Sequence, residues 1–317
     1  MRGFSAHNVA TASMMLMAAL WGSTFFVLKD LVDRVPAPDL LALRFLIAFG
    51  VLAALTPRSF KMGRTTLIQG LSMGAAFSVA QILQTSALAH TSASISGFVT
   101  GLYVVATPLL AAAFLGKRIS RMIGLAVILA TLGMGVLSLT PSAGGSGPGV
   151  GELMTLVAAI AYAGHILLAG QFATPENSMS LTLVQTGVLV VTCSIFAVPG
   201  GLTGPATVVD WGRIVYLAVF CGALTLFLQI WAQAHIEPTR AAVIMSSEPV
   251  WAAFFAILLG GELLDWRIFV GGAAILLASW LVIRPPSFGR AVPAMVPVAT
   301  HRRDVEPVLE PSLVRVS

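Results

Sequence analysis

The chain has 317 residues, of which 57% are hydrophobic and only 10% are charged, and its formal net charge is +5. So few charges cannot cover the surface of a soluble protein, but they are normal for a chain surrounded by lipid. The basic residues are scattered between apolar runs, which excludes a nucleic-acid-binding face. Composition therefore predicts a polytopic membrane protein whose main surroundings are the lipid bilayer.

Ten apolar segments are long enough to cross about 30 Å of hydrocarbon as helices. They lie near residues 9–28, 39–56, 66–88, 94–115, 121–140, 150–170, 180–199, 213–234, 240–260 and 267–283. The first is too long for a signal peptide and lacks a small-residue cleavage pattern, so we expect a retained helix. The predicted fold is an all-α membrane protein with ten transmembrane helices.

A stretch rich in Gly, Ser and Pro at 141–149 separates five segments from five, and this composition is typical of a flexible linker. Residues 1–140 are predicted to form one five-helix repeat and residues 150–283 a second. Because each half has an odd number of helices, the second inserts upside down, which gives inverted repeats. Residues 284–317 are polar and Pro-rich, and we expect a disordered cytoplasmic tail.

One sequence frame occurs in both halves and supports this division. Residues 83–90 read LQTSALAH and residues 228–235 read LQIWAQAH, an offset of 145. The same offset relates Gly116 to Gly261, each of which follows an apolar segment. Matching Gln and His residues in one frame are hard to obtain by chance, so we interpret the chain as two related halves.

Residues that weaken helices lie near the middle of segments four and nine. Gly101 and Pro108 are in segment four, and Ser247 and Pro249 are in segment nine. Such residues loosen the backbone hydrogen bonds near the membrane midplane, where transporters bind substrates and bend. The early helices align best at an offset of 141, which pairs Pro108 with Pro249, so the sequence leaves the equivalence of the two prolines open.

The basic residues also predict orientation, because loops rich in Lys and Arg resist transfer across the membrane. With the N-terminus inside, the basic loops after segments two and four, Arg240 and the arginines of the tail are cytoplasmic. The outer loops then hold only Lys29, Arg34, Arg213 and Arg267. Both termini are predicted to be cytoplasmic.

Polar side chains inside apolar segments are the candidates for function, since each must be satisfied by protein or by water in a cavity. Arg44 in segment two and Glu248 in segment nine are the clearest intramembrane charges. Arg44 is a candidate anchor for a substrate carboxylate, and Glu248 a candidate partner for an amine or a proton. The alternative is that Arg44 extends to the outer interface and that a neutral Glu248 serves packing.

The repeat adds Gln84 and Gln229, which occupy matching positions and would meet at a central site under two-fold symmetry. Aromatic residues with a polar group suit the wall of a wet cavity, because a buried Trp or Tyr needs a hydrogen-bond partner. The candidates of this kind are Trp21, Tyr103, Tyr162 and Trp231. Packing between helices is the alternative for each of them.

Cys193 and Cys221 lie inside apolar runs and indicate neither a disulfide framework nor a thiolate metal site. The sequence also lacks a zinc-type spacing, a phosphate loop and a recognisable catalytic constellation. We therefore expect no metal, no cofactor and no enzyme activity.

Several short motifs stand at characteristic points of the segments. They are WGSTF at 21–25, LRF at 43–45, EPV at 248–250 and GE at 261–262. With the pattern of ten segments in two repeats, they resemble the EamA-type transporters of the drug/metabolite transporter superfamily over about residues 9–283. GKR at 116–118 departs from the Gly-Glu-Arg that this family often has.

The resemblance implies a basket of helices one to four and six to nine around a central cavity. Helices five and ten are then peripheral, and they are the candidates for a homodimer contact. By position, the resemblance places Trp21, Arg44 and Glu248 toward the cavity, and it implies export or exchange of small organic solutes, with amino acids a frequent class.

We therefore expect a secondary transporter of the cytoplasmic membrane, an exporter of small metabolites such as amino acids, that alternates access at a central cavity. The first alternative is a transporter of drugs or of sugar or polyol derivatives with the same fold. The second is a membrane sensor or assembly protein that transports nothing. The sequence leaves the substrate, the direction and the use of protons open.

Overall fold

In a computed structural model of the chain, the structure describes residues 6–116, 121–137, 149–235 and 244–283, and all regular elements in these ranges are helices. The α-helices are α1 (Ala6–Val32), α2 (Ala37–Leu55), α3 (Arg64–Ala87), α4 (Ala93–Thr100), α5 (Tyr103–Leu115), α6 (Arg121–Leu137), α7 (Val150–Phe172), α8 (Ser178–Ala197), α9 (Val208–Ala218), α10 (Thr225–Gln233), α11 (Glu248–Leu258) and α12 (Trp266–Ile283). A π turn, Val219–Leu224, joins α9 to α10, and short 3-10 turns lie at Pro57–Phe60 and Val198–Gly200. The predicted linker up to residue 148 and the predicted tail lie outside the described residues.

Seven helical stretches are long and apolar enough to cross a bilayer. They are Asn8–Val32, Ala37–Leu55, Arg64–Ala87, Ala93–Phe114, Val150–Phe172, Ser178–Gly200 and Val208–Gln233. Three shorter apolar helices are Gly124–Val136, Glu248–Leu258 and Trp266–Leu281. The all-helical membrane fold predicted from composition is therefore present in the described part of the chain.

Two of the helical stretches extend beyond the predicted segments by four or five residues. Helix α1 continues to Val32, past the predicted end at residue 28, and the eighth segment begins at Val208 instead of at 213. Both extensions carry acidic residues, Asp30 and Asp210, which charge patterning alone places in loops. The structure keeps them helical because each carboxylate forms ion pairs with arginine.

The two halves interlock and share one compact unit. Helix α6 packs along α12, α3 packs against α7 and α8, α2 against α8, α1 against α10 and α11, and α4 against α7 and α11. Each of these contacts joins a helix from residues 6–137 to a helix from residues 149–283. The space between the halves is therefore the interior of the bundle.

Two backbone features recur at the offset of 145 that the sequence frame indicates. Gly116 has φ of 64° and Gly261 has φ of 71°, the left-handed conformation that favours glycine. Helix geometry is also interrupted twice, at 101–102 between α4 and α5 and at 246–247 before α11. The offset therefore relates local structure as well as sequence.

The question about the two prolines has a structural answer. Pro249 is in the first turn of α11, where its missing N–H leaves no helical hydrogen bond unmade. Pro108 lies inside α5, where it removes a bond from the helix ladder. The two prolines therefore occupy different positions in their helices.

Helix α1 lies so close to α11 that Gly22 has no room for a side chain. A Cβ at Gly22 would lie 2.4 Å from Trp251 Cβ and 2.9 Å from the backbone N of Ala252. We expect Gly22→Ala to force the helices apart and to destabilise the protein by about 1–3 kcal/mol. Thermal unfolding in detergent measures this, with Gly50→Ala as the control because a Cβ there meets nothing within 4 Å. Equal melting temperatures for Gly22→Ala and the wild type would contradict the expectation.

Candidate functional site

The halves enclose a narrow buried cavity. Its lining residues are Trp21, Thr24, Phe25, Arg44, Gln81, Gln84, Thr100, Tyr103, Tyr162, His165, Ile166, Gln229, Met245 and Glu248. The volume open to a water-sized sphere is about 20 Å³, which is room for about one water molecule. In this conformation the polar side chains leave little space between them. A larger solute therefore enters the cavity only if the helices move.

A chain of hydrogen bonds runs along one wall of the cavity. Arg44 Nη1 donates to Gln81 Oε1 at 3.5 Å, and Gln81 Nε2 donates to Tyr162 Oη at 2.5 Å. Tyr162 Oη donates to Gln84 Oε1 at 2.7 Å, and Gln84 Nε2 donates to Thr100 Oγ1 at 3.0 Å. The chain couples α2, α3, α7 and α4 through amide groups that each donate one bond and accept one, and it fixes the orientation of the Tyr162 ring.

Glu248 and Tyr103 meet across the cavity at the two interruptions of the helices. Tyr103 Oη lies 2.8 Å from Glu248 Oε2 and 3.0 Å from the carbonyl oxygen of Met245. A phenol has one proton to donate, so both acceptors are satisfied together only when Glu248 carries a proton that it donates back to Tyr103. Loss of that proton leaves one acceptor without its bond, so a proton or an amine at this carboxyl changes the hydrogen bonding.

Arg44 is buried and bound mainly to backbone. Its Nη2 donates to the carbonyl oxygen of Cys221 at 2.8 Å, and its Nε donates to that of Leu217 at 3.2 Å. Leu217 lies just before the π turn, and Cys221 lies within it. The guanidinium also lies 5.1 Å from the centre of the Phe45 ring. Arg44 therefore holds α2 against α9 and the π turn.

Two buried polar side chains at the cavity have atoms without a partner among the described residues. Both Nε2 and Oε1 of Gln229 are unpaired, and so is Nδ1 of His165, whose Nε2 bonds Gln185 Oε1 at 2.8 Å. Leaving a buried polar group unpaired costs about 1–3 kcal/mol. These unpaired atoms are available for hydrogen bonds in another conformation of the protein or with a ligand.

The structure brings together seven of the eight predicted site residues, which are Trp21, Arg44, Gln84, Tyr103, Tyr162, Gln229 and Glu248. Trp21 donates from Nε1 to Thr225 Oγ1 at 2.8 Å. The eighth, Trp231, is not among the lining residues, and its ring lies 4.4 Å from that of His235 one turn later.

The site residues predicted from the sequence did not include Gln81, Thr100 or His165, which also line the cavity. His165 was detectable as an ionisable residue in the middle of an apolar segment. Thr100 gives no such signal, because threonine is common in membrane helices and commonly bonds its own backbone.

A family model described as the EamA-like transporter family matches residues 9–139 and 149–284. The chain belongs to this family. The resemblance based on short motifs is confirmed, and this EamA-like transporter is a multi-pass membrane protein that acts on a small-molecule substrate in a lipid environment.

Named relatives agree with this assignment. The chain is 28% identical over 277 residues to an uncharacterized transporter of Archaeoglobus fulgidus, covering 86% of this chain and 85% of the relative. It is 23% identical over 288 residues to the uncharacterized inner membrane transporter YedA of Escherichia coli K12, covering 88% and 92%. A solved crystal structure superposes with a TM-score of 0.62 at 18% identity over 86% of this chain and 96% of that one, which shows a shared fold.

The EamA-like transporter has a cluster of ion pairs at the end of the bundle where α1 ends and α9 begins, here called the charged end. Arg34 bonds Asp30 at 2.6 Å and Asp210 at 2.8 Å, and Arg213 bonds Asp210 at 3.1 Å and also Asp30. The Asp30 carboxylate, with Asp210, holds the pKa of the Arg34 guanidinium above its ordinary value. The cluster joins a helix of the first half to a helix of the second.

Two further contacts tie segments together near helix ends. Lys29 Nζ donates to the carbonyl oxygen of Leu88 at 2.7 Å, where α3 ends. Glu262 accepts from the backbone N–H groups of Ala93 at 2.7 Å and Ser94 at 3.2 Å. A carboxylate in this position satisfies the free N–H groups and the dipole at the start of α4. Glu262 thereby binds the loop after α11 to the first half.

Proposed function

We propose that this EamA-like transporter exports small organic solutes, with amino acids as the first class, by alternating access at the cavity between its halves. The observation that carries the proposal is the buried cavity itself. It combines a carboxyl group at Glu248, an unpaired amide at Gln229 and an aromatic wall, and it lies where the two halves meet. In a bundle of this kind, rocking one half against the other opens the cavity to one side at a time.

Ten crossings in two inverted repeats are part of the proposal. If a two-fold axis exchanges the halves, the α1–α11 contact must be matched by an α7–α5 contact. In the same way, the α1–α10 contact must be matched by an α7–α3 contact. All four contacts occur. The same operation relates Tyr103 to Glu248, which are 145 residues apart and share a hydrogen bond. Equivalent residues that touch each other lie near such an axis.

Cytoplasmic termini are supported by how the basic residues are used. The four basic residues of the outer loops in this orientation are Lys29, Arg34, Arg213 and Arg267, and each is bound to a carboxylate or a carbonyl. Arg58, Lys61 and Arg64, on the other side, are exposed and have no ion pair among the described residues. Basic residues without a described ion pair therefore lie at the proposed cytoplasmic face, which is where basic loops are normally found.

The charged end would then be the outer gate. Its ion pairs and the Glu262 contact join the halves at that end, and they must separate before a solute leaves outward. The side chains of Asp30, Arg34 and Arg213 are open to solvent, and of these four residues only Asp210 is buried. Since ion pairs of exposed residues contribute little stability each, such a gate opens at a cost that solute binding can offset. Export follows if solute enters from the cytoplasm while these pairs hold.

An amino acid matches the cavity because Glu248 faces its amine and the aromatic rings face its side chain. Arg44 has five N–H groups, of which three bond protein acceptors, so two are left for a carboxylate. The heavy use of Arg44 by backbone carbonyls also favours a second class, amines without a carboxylate. For that class Glu248 and Gln229 would supply the polar contacts.

Flux in liposomes tests the proposal. The purified transporter is reconstituted and supplied with labelled amino acids, their decarboxylated amines and, as a control, a neutral polyol, with and without a pH gradient. We expect saturable flux of amino acids or amines and none of the polyol. Flux that follows the gradient indicates proton coupling, and flux that ignores it indicates facilitation. Polyol flux alone, or no flux from folded and inserted protein, would contradict the proposal.

A further inference from the structure

An apolar cleft lies on the side of the bundle, separate from the central cavity. It has a volume of about 610 Å³ and is formed by α2, α3, α8 and the loop between α2 and α3. Its walls include Phe49, Phe60, Met62, Leu67, Leu71 and Val191. Leu67, Leu71 and Val191 are 42%, 46% and 60% exposed, so in a bilayer this cleft opens to lipid.

The structure holds the cleft in shape. Phe49 and Phe60 meet edge to face with ring centres 6.5 Å apart. Ser180 Oγ on α8 donates to the carbonyl oxygen of Ser59 at 3.1 Å, which fastens the α2–α3 loop to the second half. Gly187 is at the floor of the cleft, where a Cβ would lie 3.3 Å from Phe49. These contacts fix the walls of the cleft, and the walls come from both halves.

Basic residues lie on the loop that forms part of the cleft wall. The α2–α3 loop and the start of α3 read PRSFKMGR at 57–64, so basic residues alternate with the wall residues Phe60 and Met62. Arg58, Lys61 and Arg64 are exposed, and no ion pair joins them to a described acidic residue. The loop thus combines walls of an apolar slot with three exposed cations that have no ion pair within the described ranges.

We propose that this cleft binds one anionic phospholipid, with an acyl chain in the slot and the phosphate on Arg58, Lys61 and Arg64. The apolar lining and its exposure to lipid fit an acyl chain, and the unneutralised basic cluster fits an anionic headgroup. Basic residues beside a membrane helix attract anionic lipids. The leaflet follows from the proposed orientation and is the cytoplasmic one. Because the cleft joins α2 and α3 to α8, the lipid contacts both halves.

Native mass spectrometry of the purified protein tests the proposal by counting retained lipids in mixtures of phosphatidylglycerol and phosphatidylcholine. We expect one phosphatidylglycerol to be retained in preference to phosphatidylcholine. Replacing Arg58, Lys61 and Arg64 together by Gln should weaken that binding by at least tenfold, since each charge contributes about fivefold. Arg121→Gln is the matched control, because it removes an exposed basic residue at the start of α6, outside the cleft.

A phosphatidylglycerol with a photoreactive acyl chain locates the binding site on the intact protein. Crosslinks on peptides that contain residues 60–71 and 183–192 support the cleft. Equal retention of both lipids, unchanged binding in the triple variant, or crosslinks confined to other helices would overturn the proposal. A protein dimer in place of the lipid adduct would assign the cleft to a second copy and also overturn it. None of these measurements depends on transport, so the proposed function is tested separately.

Discussion

Glu248→Gln is expected to lower substrate flux by about tenfold or more while the protein remains folded. Gln has the shape of the protonated acid, so it can donate to Tyr103 as the neutral carboxyl does and keep the pair that lies 2.8 Å apart. It cannot ionise, so it offers neither a negative charge to an amine nor a proton to exchange. Losing one charged hydrogen bond costs about 1.5–3 kcal/mol, which corresponds to the expected loss of flux.

The measurement is initial flux in liposomes as a function of pH, beside thermal unfolding of the same preparation. Glu248→Gln should remove the pH dependence of the remaining flux and leave the melting temperature near that of the wild type. Glu176→Gln is the control, because it removes an acidic residue from the exposed turn between α7 and α8. Flux and pH dependence like those of the wild type would show that Glu248 serves packing alone.

Arg44→Ala is expected to destabilise the protein by about 2–6 kcal/mol, because two buried acceptors each lose a donor at a cost of about 1–3 kcal/mol. The change leaves the carbonyl oxygens of Leu217 and Cys221 buried without their donors, and it removes the guanidinium that fills the space beside Phe45. Arg44→Lys should fall between, because one ammonium reaches fewer acceptors in that fixed geometry. The readout is the melting temperature and the yield of monodisperse protein in detergent.

Arg121→Ala is the matched control, because Arg121 is exposed at the start of α6 and its loss should leave stability unchanged. If Arg44→Ala is as stable as the wild type yet loses flux of amino acids and keeps that of amines, Arg44 is a carboxylate anchor and not a clamp on the π turn. If it is stable and transports both classes, neither role is correct.

Two features of the sequence, its apolar composition and its repeated frame, were the basis for predicting the fold. Apolar length predicted where most helices lie, and the frame at 83–90 and 228–235 indicated an offset that recurs in the backbone at Gly116 and Gly261. The same offset separates Tyr103 from Glu248, which share a hydrogen bond. Local sequence rules were enough for the helices, because each helix depends on its own apolar residues.

Other features depend on which helices are neighbours and could not be predicted. The partners of Arg44 are backbone carbonyls beside a π turn, and no side chain in the sequence marks them. Asp30 and Asp210 extend their helices because arginines from the other half lie beside them. Trp231 lies in the repeated frame at 228–235, yet its ring packs against His235, because residues four apart lie on the same face of a helix.

The most direct test of alternating access at the cavity is thiol labelling of Gln229→Cys, in a protein whose two native cysteines are replaced by Ala. Gln229 is fully buried and lines the closed cavity, so a charged, membrane-impermeant methanethiosulfonate reaches it only when the cavity opens. We predict labelling from either side of the membrane, protection by saturating substrate, and loss of flux after labelling, whereas Glu176→Cys in the exposed turn between α7 and α8 should be labelled equally with and without substrate. Labelling from one side only, or full flux after complete labelling, would contradict a transport path through this cavity.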